Sequence, residues 1–165
     1  MEFVIQQVAS TDKKLIQQVG ETLRFLKKDY PDFSNWYSAK VVPNLKSSQR
    51  KIFVAYSDSE RTCIAGILIL KDSPHEKKIC SLFVGEQYRA KKLATDFLSL
   101  AVDELGTVRP VITVSSERHS AFKKLFQKFG FVLYDTYPEY YKNGASEISY
   151  NGPIESFSLK KATNA

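Results

Sequence analysis

Apolar and polar positions in the middle of the chain predict strand, basic loop, helix, strand and helix in succession. Residues 78–84 combine β-branched and aromatic side chains after a charged start, which favours a largely buried strand ending at Gly85. The basic loop that follows runs directly into a helix. Apolar side chains recur there at helical spacing, at Ala90, Leu93, Ala94, Phe97, Leu98, Ala101 and Leu105. One face of this helix should therefore lie on a sheet.

The flanking segments predict further strands and helices. Strands are expected at residues 3–8, 51–56, 63–70 and 111–114, with two more in residues 132–159, joined by residues 140–146. Helices are expected after Ser10-Thr11-Asp12, which offers a cap, over residues 33–45, and before Phe129-Gly130-Phe131. The polar residues 57–60 fit a hairpin turn, and a helix joining the strands around Leu82 and Ile112 makes that pair parallel.

Together these elements predict an α+β (mixed α/β) fold with a central mixed sheet of about seven strands and about four helices. A chain of 165 residues with 43% hydrophobic content can bury one core, so we expect a single domain over residues 1–165. The longest apolar run, residues 63–70, is far short of the roughly 20 residues that cross a bilayer. The N-terminus has no apolar signal core, so we expect a soluble cytoplasmic protein without membrane contact.

The basic start of the central helix is the best candidate for ligand binding. The free amides of a first helical turn, the positive end of the helix dipole and the side chains of Arg89, Lys91 and Lys92 together favour an anion. A pyrophosphate would fit there. The net charge of +6 and the pI of about 9.2 agree with an anionic partner, although they do not identify one.

This segment resembles the GNAT superfamily of acyl-CoA N-acyltransferases. The family's pyrophosphate loop reads Gln/Arg-x-x-Gly-x-Gly/Ala, and the matching positions here are Arg89, Ala90, Lys91, Lys92, Leu93 and Ala94, so the loop is degenerate at Lys92. Further on, His119 stands where the family usually has Asn, and Gly130-Phe131 closes onto the next strand. The resemblance implies the GNAT fold, with acetyl-CoA as acyl donor and an amine as acceptor attacking directly in a ternary complex.

The resemblance also assigns cofactor-binding residues. Main-chain amides of Arg89, Ala90, Lys91, Lys92, Leu93 and Ala94 would hold the pyrophosphate, and the backbone of Leu82, Phe83 and Val84 would pair with the pantetheine arm. His119 could donate one hydrogen bond to that arm. An amide near Phe83 would meet the oxyanion if the strand bulges there.

Candidates for proton transfer are less well matched. A general base is needed because a lysine-type amine, with a pKa near 10.4, is mostly protonated at neutral pH. Glu76 is the first candidate and His75 the second, because Lys78 occupies the position of the family's Glu. Glu76 could equally be a solvated charge at the start of a strand. The family's general-acid Tyr is Phe126 here, so Tyr137, Tyr140 and Tyr141 are the substitutes considered, with Tyr140 and Tyr141 preferred.

Other features leave alternatives open. The tyrosines of the last two strands and their loop could bind a ligand, cover a core edge or form a homodimer interface. Cys63 and Cys80 lie in strand-like runs without metal-ligand spacing, which predicts buried reduced thiols and no metal site. Besides an N-acetyltransferase of a small-molecule or protein amine, two functions remain. One is a catalytically silent sensor or interaction module, and the other is an acetylase of an RNA-associated acceptor such as aminoacyl-tRNA or ribosomal protein.

Overall fold

The structure is a computed structural model that describes residues 2–154, and it contains one seven-stranded sheet. The strand order is β1-β2-β3-β4-β5-β7-β6. The strands are β1 (Val4–Gln7), β2 (Arg50–Tyr56), β3 (Ile64–Asp72), β4 (Lys77–Val84), β5 (Val111–Ser115), β6 (Leu133–Tyr137) and β7 (Glu147–Tyr150). All pairs are antiparallel except β4 with β5. The predicted hairpin and the predicted parallel pair are both confirmed.

Within the described residues, four α-helices cover the two faces of this sheet. They are α1 (Lys13–Thr22), α2 (Phe33–Trp36), α3 (Leu93–Leu105) and α4 (His119–Lys128). The cap predicted within Ser10-Thr11-Asp12 is Asp12, which accepts a hydrogen bond from the Leu15 amide at 3.2 Å. With seven strands and four helices, the mixed α+β fold is confirmed.

The sheet separates two hydrophobic cores. On one face, Ile79, Leu68 and Ile112 pack with the apolar stripe of α3 and with Phe126 of α4. On the opposite face, Ile67 and Ile69 pack with α1 and α2, and Cys80 and Phe83 lie against that second core. Side chains that alternate along β4 therefore reach both cores.

Three sequence-based expectations are wrong in detail. Residues 33–45 do not form one regular helix: after α2 come a π-helical turn (Tyr37–Val41) and a 3₁₀ turn (Val42–Asn44), and Pro43 in that last turn has no N–H for the regular ladder. The central helix begins at Leu93, because Ala90 and Lys92 both have positive φ and cannot extend it. Cys63 precedes β3 and is exposed.

Two expectations concern the ends of the chain and its membrane contact. The segment predicted to hold the last two strands ends at residue 159, and residues 155–159 lie outside the described residues. Within residues 2–154, no helix combines the length and the apolar character that crossing a bilayer requires.

Candidate active site

The gap between β4 and β5 opens into a cleft that passes through the sheet. The two strands pair only at Lys78 with Val111 and Ile79 with Ile112. Beyond Ile79, a cleft with a volume of about 90 Å³ is lined from both sides of the sheet. The face toward α3 and α4 contributes Ile79, Leu82, Ile112, Val114, Phe122 and Phe126, and the face toward α1 contributes Phe25, Leu26, Tyr30, Phe83, Thr113 and Arg118.

Strand β4 carries a bulge at the cleft, but not at the predicted position. Ile69 pairs with Ser81 and Leu70 with Ile79, which leaves Cys80 as the extra residue. Phe83 pairs regularly with Ile67, so the expectation of a bulge near Phe83 is wrong by three residues. Leu82, Phe83 and Val84 pair with β3, whereas β4 pairs with β5 only at Lys78 and Ile79, so the β5-side edge of residues 82–84 faces the cleft.

The basic loop before α3 adopts a backbone that glycine favours. Lys92, at the position of the family's central glycine, has φ of 66° and ψ of 4°, and Ala90 has φ of 60°. The Asp96 amide bonds to the Lys92 carbonyl at 2.9 Å, so the earlier amides of the first turn of α3 have no intrahelical acceptor. The Arg89 amide, predicted to hold the pyrophosphate, instead donates to the Glu86 carbonyl at 3.3 Å. The side chains of Arg89, Lys91 and Lys92 are all exposed. Lys92 therefore adopts the left-handed conformation that a glycine would have, while its side chain points to solvent and leaves the space in front of the turn open.

A carboxylate that sequence reasoning missed lies directly behind the cleft. Glu147 is only 3% exposed, and its Oε1 accepts a hydrogen bond from the Tyr30 hydroxyl at 2.9 Å. Burial raises the pKa of Glu147 from its ordinary value to about 7, while hydrogen bonds from Tyr30 and Thr113 oppose that rise. Both of these partners line the cleft. Glu147 therefore lies one hydroxyl group away from the cleft and titrates near neutral pH.

Glu147 had only a weak signal in the sequence. It begins β7, whose Ile148 packs against the core on the α3 side, so Glu147 points to the α1 side. An alternation of this kind predicts a strand, and a Glu in it normally faces solvent. Its partner Tyr30 is 117 residues away in the chain, so the contact follows only from the fold.

An ion-pair network ties three segments together on the same side. Asp29 is 6% exposed, and its carboxylate lies 2.8 Å from Arg118 Nε and 3.5 Å from Lys142 Nζ. The ring of Tyr141 packs edge-on to that of Tyr30, with centroids 4.9 Å apart. The segment after α1, the start of α4 and the β6–β7 loop are thereby held around one side of the cleft.

The predicted catalytic residues are only partly brought together. Tyr141 packs against Tyr30, the hydrogen-bond partner of Glu147. Burial is the main cause that raises the pKa of the Tyr141 hydroxyl, and the nearby charge of Glu147 raises it further. Tyr140 packs against Tyr141 with ring centroids 4.5 Å apart. Glu76 precedes β4, and its carboxylate lies 3.1 Å from Lys71 Nζ. His75, in the same connection, is exposed.

The two remaining expectations concern α4. His119 begins this helix, and its Nε2 lies 2.6 Å from the Tyr150 hydroxyl, so that nitrogen is occupied by a protein partner. Phe126 is 1% exposed and packs edge-on to Tyr150 with ring centroids 4.9 Å apart. Among residues 2–154, no group of three or more His, Cys, Asp or Glu is placed to hold a metal ion.

Comparison with known proteins agrees with this architecture. A family model described as an acetyltransferase (GNAT) domain matches residues 27–151. None of the curated proteins compared with the chain matches it significantly.

Three solved structures illustrate the likeness of fold. A GNAT-family protein from Desulfovibrio desulfuricans gives a TM-score of 0.67 at 16% identity, over 90% of this chain and 97% of its own. Arabidopsis thaliana NAA60, solved with acetyl-CoA, gives 0.64 at 10% identity, over 90% and 97%. The PaiA N-acetyltransferase of Thermoplasma acidophilum, solved with coenzyme A, gives 0.62 at 17% identity, over 92% and 100%. Because the family model covers most of the chain and the fold agrees, this protein belongs to the GNAT acetyltransferase family.

Proposed function

We propose that this protein is an acetyl-CoA-dependent N-acetyltransferase that moves an acetyl group to a primary amine by direct attack. The observation that carries this proposal is the cleft between β4 and β5, with a buried carboxylate one hydroxyl group behind it. In the reaction the amine nitrogen bonds to the acetyl carbon, the carbon–sulfur bond breaks, and coenzyme A leaves with the electron pair of that bond.

The residues around the cleft fit acetyl-CoA, which supplies the activated acetyl group as a thioester. The left-handed turn at Ala90 and Lys92 exposes amides at the start of α3, where a diphosphate is favoured by the helix dipole. Exposed Arg89, Lys91 and Lys92 add positive charge. The β5-side edge of residues 82–84 would pair with the pantetheine arm. Three acetyltransferase structures of this fold contain acetyl-CoA or coenzyme A, which supports the same assignment.

Glu147 is the best general base, in place of the predicted Glu76. A base must be ionised at working pH, and a pKa of about 7 meets that need while still favouring proton uptake. Burial also raises the pKa of Tyr30, so a free tyrosinate is not a stable relay species. The Tyr30 oxygen would instead accept the amine proton while its own proton passes to Glu147. Glu76 is already paired with Lys71.

Binding and turnover test the proposal separately. Because acetyl-CoA binds the folded state, it should raise the thermal midpoint, and Arg89→Glu should remove much of that shift. Glu147→Gln should lower turnover, followed as free-thiol release, by about 10²–10⁴-fold with acetyl-CoA binding retained. Glu76→Gln is the matched control and should stay within a few-fold of wild type. No thermal shift and no calorimetric heat at millimolar acetyl-CoA would exclude the proposal.

Phe126 favours one alternative, a catalytically silent module that keeps cofactor binding. Its ring occupies the position of the family's general-acid tyrosine and has no proton to give. A panel of primary amines distinguishes the two functions, because thiol release above the solvent background excludes a silent module. Binding of acetyl-CoA without turnover of any amine favours it.

A further inference from the structure

The side of the cleft that faces α1 combines an exposed aromatic wall with carboxylates that are already paired. Phe25 is 38% exposed, its ring centroid lies 5.5 Å from that of Phe83, and Leu26 lies beside it on the cleft. The guanidinium carbon of Arg118 lies 5.2 Å from the Phe25 ring centroid. An exposed apolar surface at the mouth of a cleft is a common feature of ligand sites.

The charges on this side disfavour a second ammonium group. The carboxylates that act on Tyr30 and Tyr141 are Asp29, Glu76 and Glu147. Asp29 is paired with Arg118 and Lys142, Glu76 is paired with Lys71, and the exposed Glu117 lies 3.5 Å from the same Lys142 Nζ. Glu147 is held by hydroxyl groups and is needed for the reacting amine itself.

The cation on the wall offers no attraction to a second ammonium group. The Arg118 side chain is 40% exposed and lies on the aromatic wall, and its guanidinium is paired with Asp29, so a cationic substituent placed there would meet a neutral ion pair. A polyamine or aminoglycoside would bring additional cations of this kind, and each of Asp29, Glu76 and Glu117 already has a cationic partner. An aromatic ring would meet the rings of Phe25 and Phe83 and the guanidinium of Arg118.

We propose that the acceptor is an amine with a single positive charge and an apolar, preferably aromatic, substituent that packs on Phe25 and Phe83 beside Arg118. This inference rests on the proposed acetyltransferase function and specifies its substrate class. The amine nitrogen enters toward Tyr30, and the substituent remains at the mouth of the cleft. Phe25 is then a specificity-determining residue that takes no part in proton transfer.

The test uses conjugates that bind without needing turnover. Coenzyme A is linked through a thioether-acetamide to three amines: methylamine, 2-phenylethylamine and 1,4-diaminobutane. Calorimetry measures the Kd of each conjugate for wild type, Phe25→Ala and Tyr134→Ala. Tyr134 is the matched control, because it is 55% exposed on β6 and does not line the cleft.

In wild type, the phenylethyl conjugate should bind about tenfold more tightly than the aminobutyl conjugate, as expected for an aromatic ring half covered by an apolar wall. Phe25→Ala should remove most of this difference and leave the methyl conjugate unchanged, which also shows that the variant is folded. Tyr134→Ala should keep the difference.

The outcomes separate this inference from the function on which it rests. Equal or tighter binding of the aminobutyl conjugate, or a difference that survives Phe25→Ala, would overturn the inference while the cofactor site stands. Failure of the methyl conjugate to bind at millimolar concentration would overturn the acetyltransferase proposal itself, and the acceptor class with it.

Discussion

The left-handed backbone at Lys92 predicts an unusual response to glycine. Lys92 has φ of 66°, a conformation in which an L-residue is roughly 1–2 kcal/mol less stable than in the right-handed region, whereas glycine is not. Lys92→Gly removes this strain but gives the unfolded chain more freedom, which costs about 0.4–1 kcal/mol. We therefore expect the variant to be as stable as wild type or up to about 1.5 kcal/mol more stable.

A neighbouring residue supplies the control for this experiment. Lys91 is exposed like Lys92 but is not among the residues with positive φ, so Lys91→Gly should only destabilise, by about 0.4–1 kcal/mol. Each variant loses one lysine and gains one glycine, so the unfolded-state contribution nearly cancels between them. Their difference, about 1–2 kcal/mol in favour of Lys92→Gly, isolates the backbone strain.

Urea unfolding at fixed pH and salt measures this difference. With a slope of about 2 kcal/mol per M, the midpoints of the two variants should differ by roughly 0.5–1 M. Equal midpoints, or a lower midpoint for Lys92→Gly, would refute the left-handed turn. Since each variant also removes one exposed ammonium group from the proposed diphosphate site, both should weaken acetyl-CoA binding by a similar few-fold factor.

Three further predictions test other parts of the molecule. Gly66→Ala should lower the thermal midpoint, with a loss of about 1–3 kcal/mol, because an added Cβ would lie 2.7 Å from the Phe83 carbonyl oxygen; an unchanged midpoint would contradict that close approach. Burial raises the pKa of Glu147 from 4.5 to about 7, so the unfolded chain loses this proton at lower pH than the folded protein does. The free energy of unfolding therefore falls as pH rises from about 4.5 to 7. Glu147→Gln should therefore gain up to about 3 kcal/mol over wild type between about pH 5 and pH 8, measured by urea unfolding; parallel pH profiles would argue against a buried Glu147. A thiol reagent should modify Cys63 faster than Cys80 in the native protein, because Cys63 is exposed whereas Cys80 is half-buried on the cleft and burial raises the pKa of its thiol; equal rates would be inconsistent with this structure.

Local patterns were sufficient for most of the fold. The apolar stripe of α3 predicted Phe97, Leu98 and Ala101 as core residues, and all three are fully buried. A cap within Ser10-Thr11-Asp12 was also predicted correctly, because it depends on neighbours three residues away, and the structure assigns it to Asp12. The start of α3 was predicted too early, because Ala90 and Lys92 are ordinary helix formers whose left-handed conformation has no signal in their identity.

The candidate site was much harder to predict, because its polar contacts join distant segments. Tyr30 and Glu147 come from opposite ends of the chain, and Asp29 meets Lys142 across a similar separation. Motif spacing indicated the basic loop at Arg89, since a helix start is a local feature. It could not indicate which carboxylate lies behind the cleft, and it therefore favoured Glu76, which is nearer in sequence to β4.

In the cleft, apolar side chains lie on the α3 and α4 side, and the polar groups proposed to transfer protons lie on the α1 side. On the α3 and α4 side all the lining side chains named above are apolar, and Phe126 lies where a general acid was expected. A thiol with a pKa near 8.5 leaves passably as thiolate, so an acid on that side is dispensable. The attacking amine has the harder task, because it must lose a proton near a pKa of 10.4. Tyr30, Thr113 and Glu147 all lie on the side from which that amine would enter, which is where proton transfer is needed.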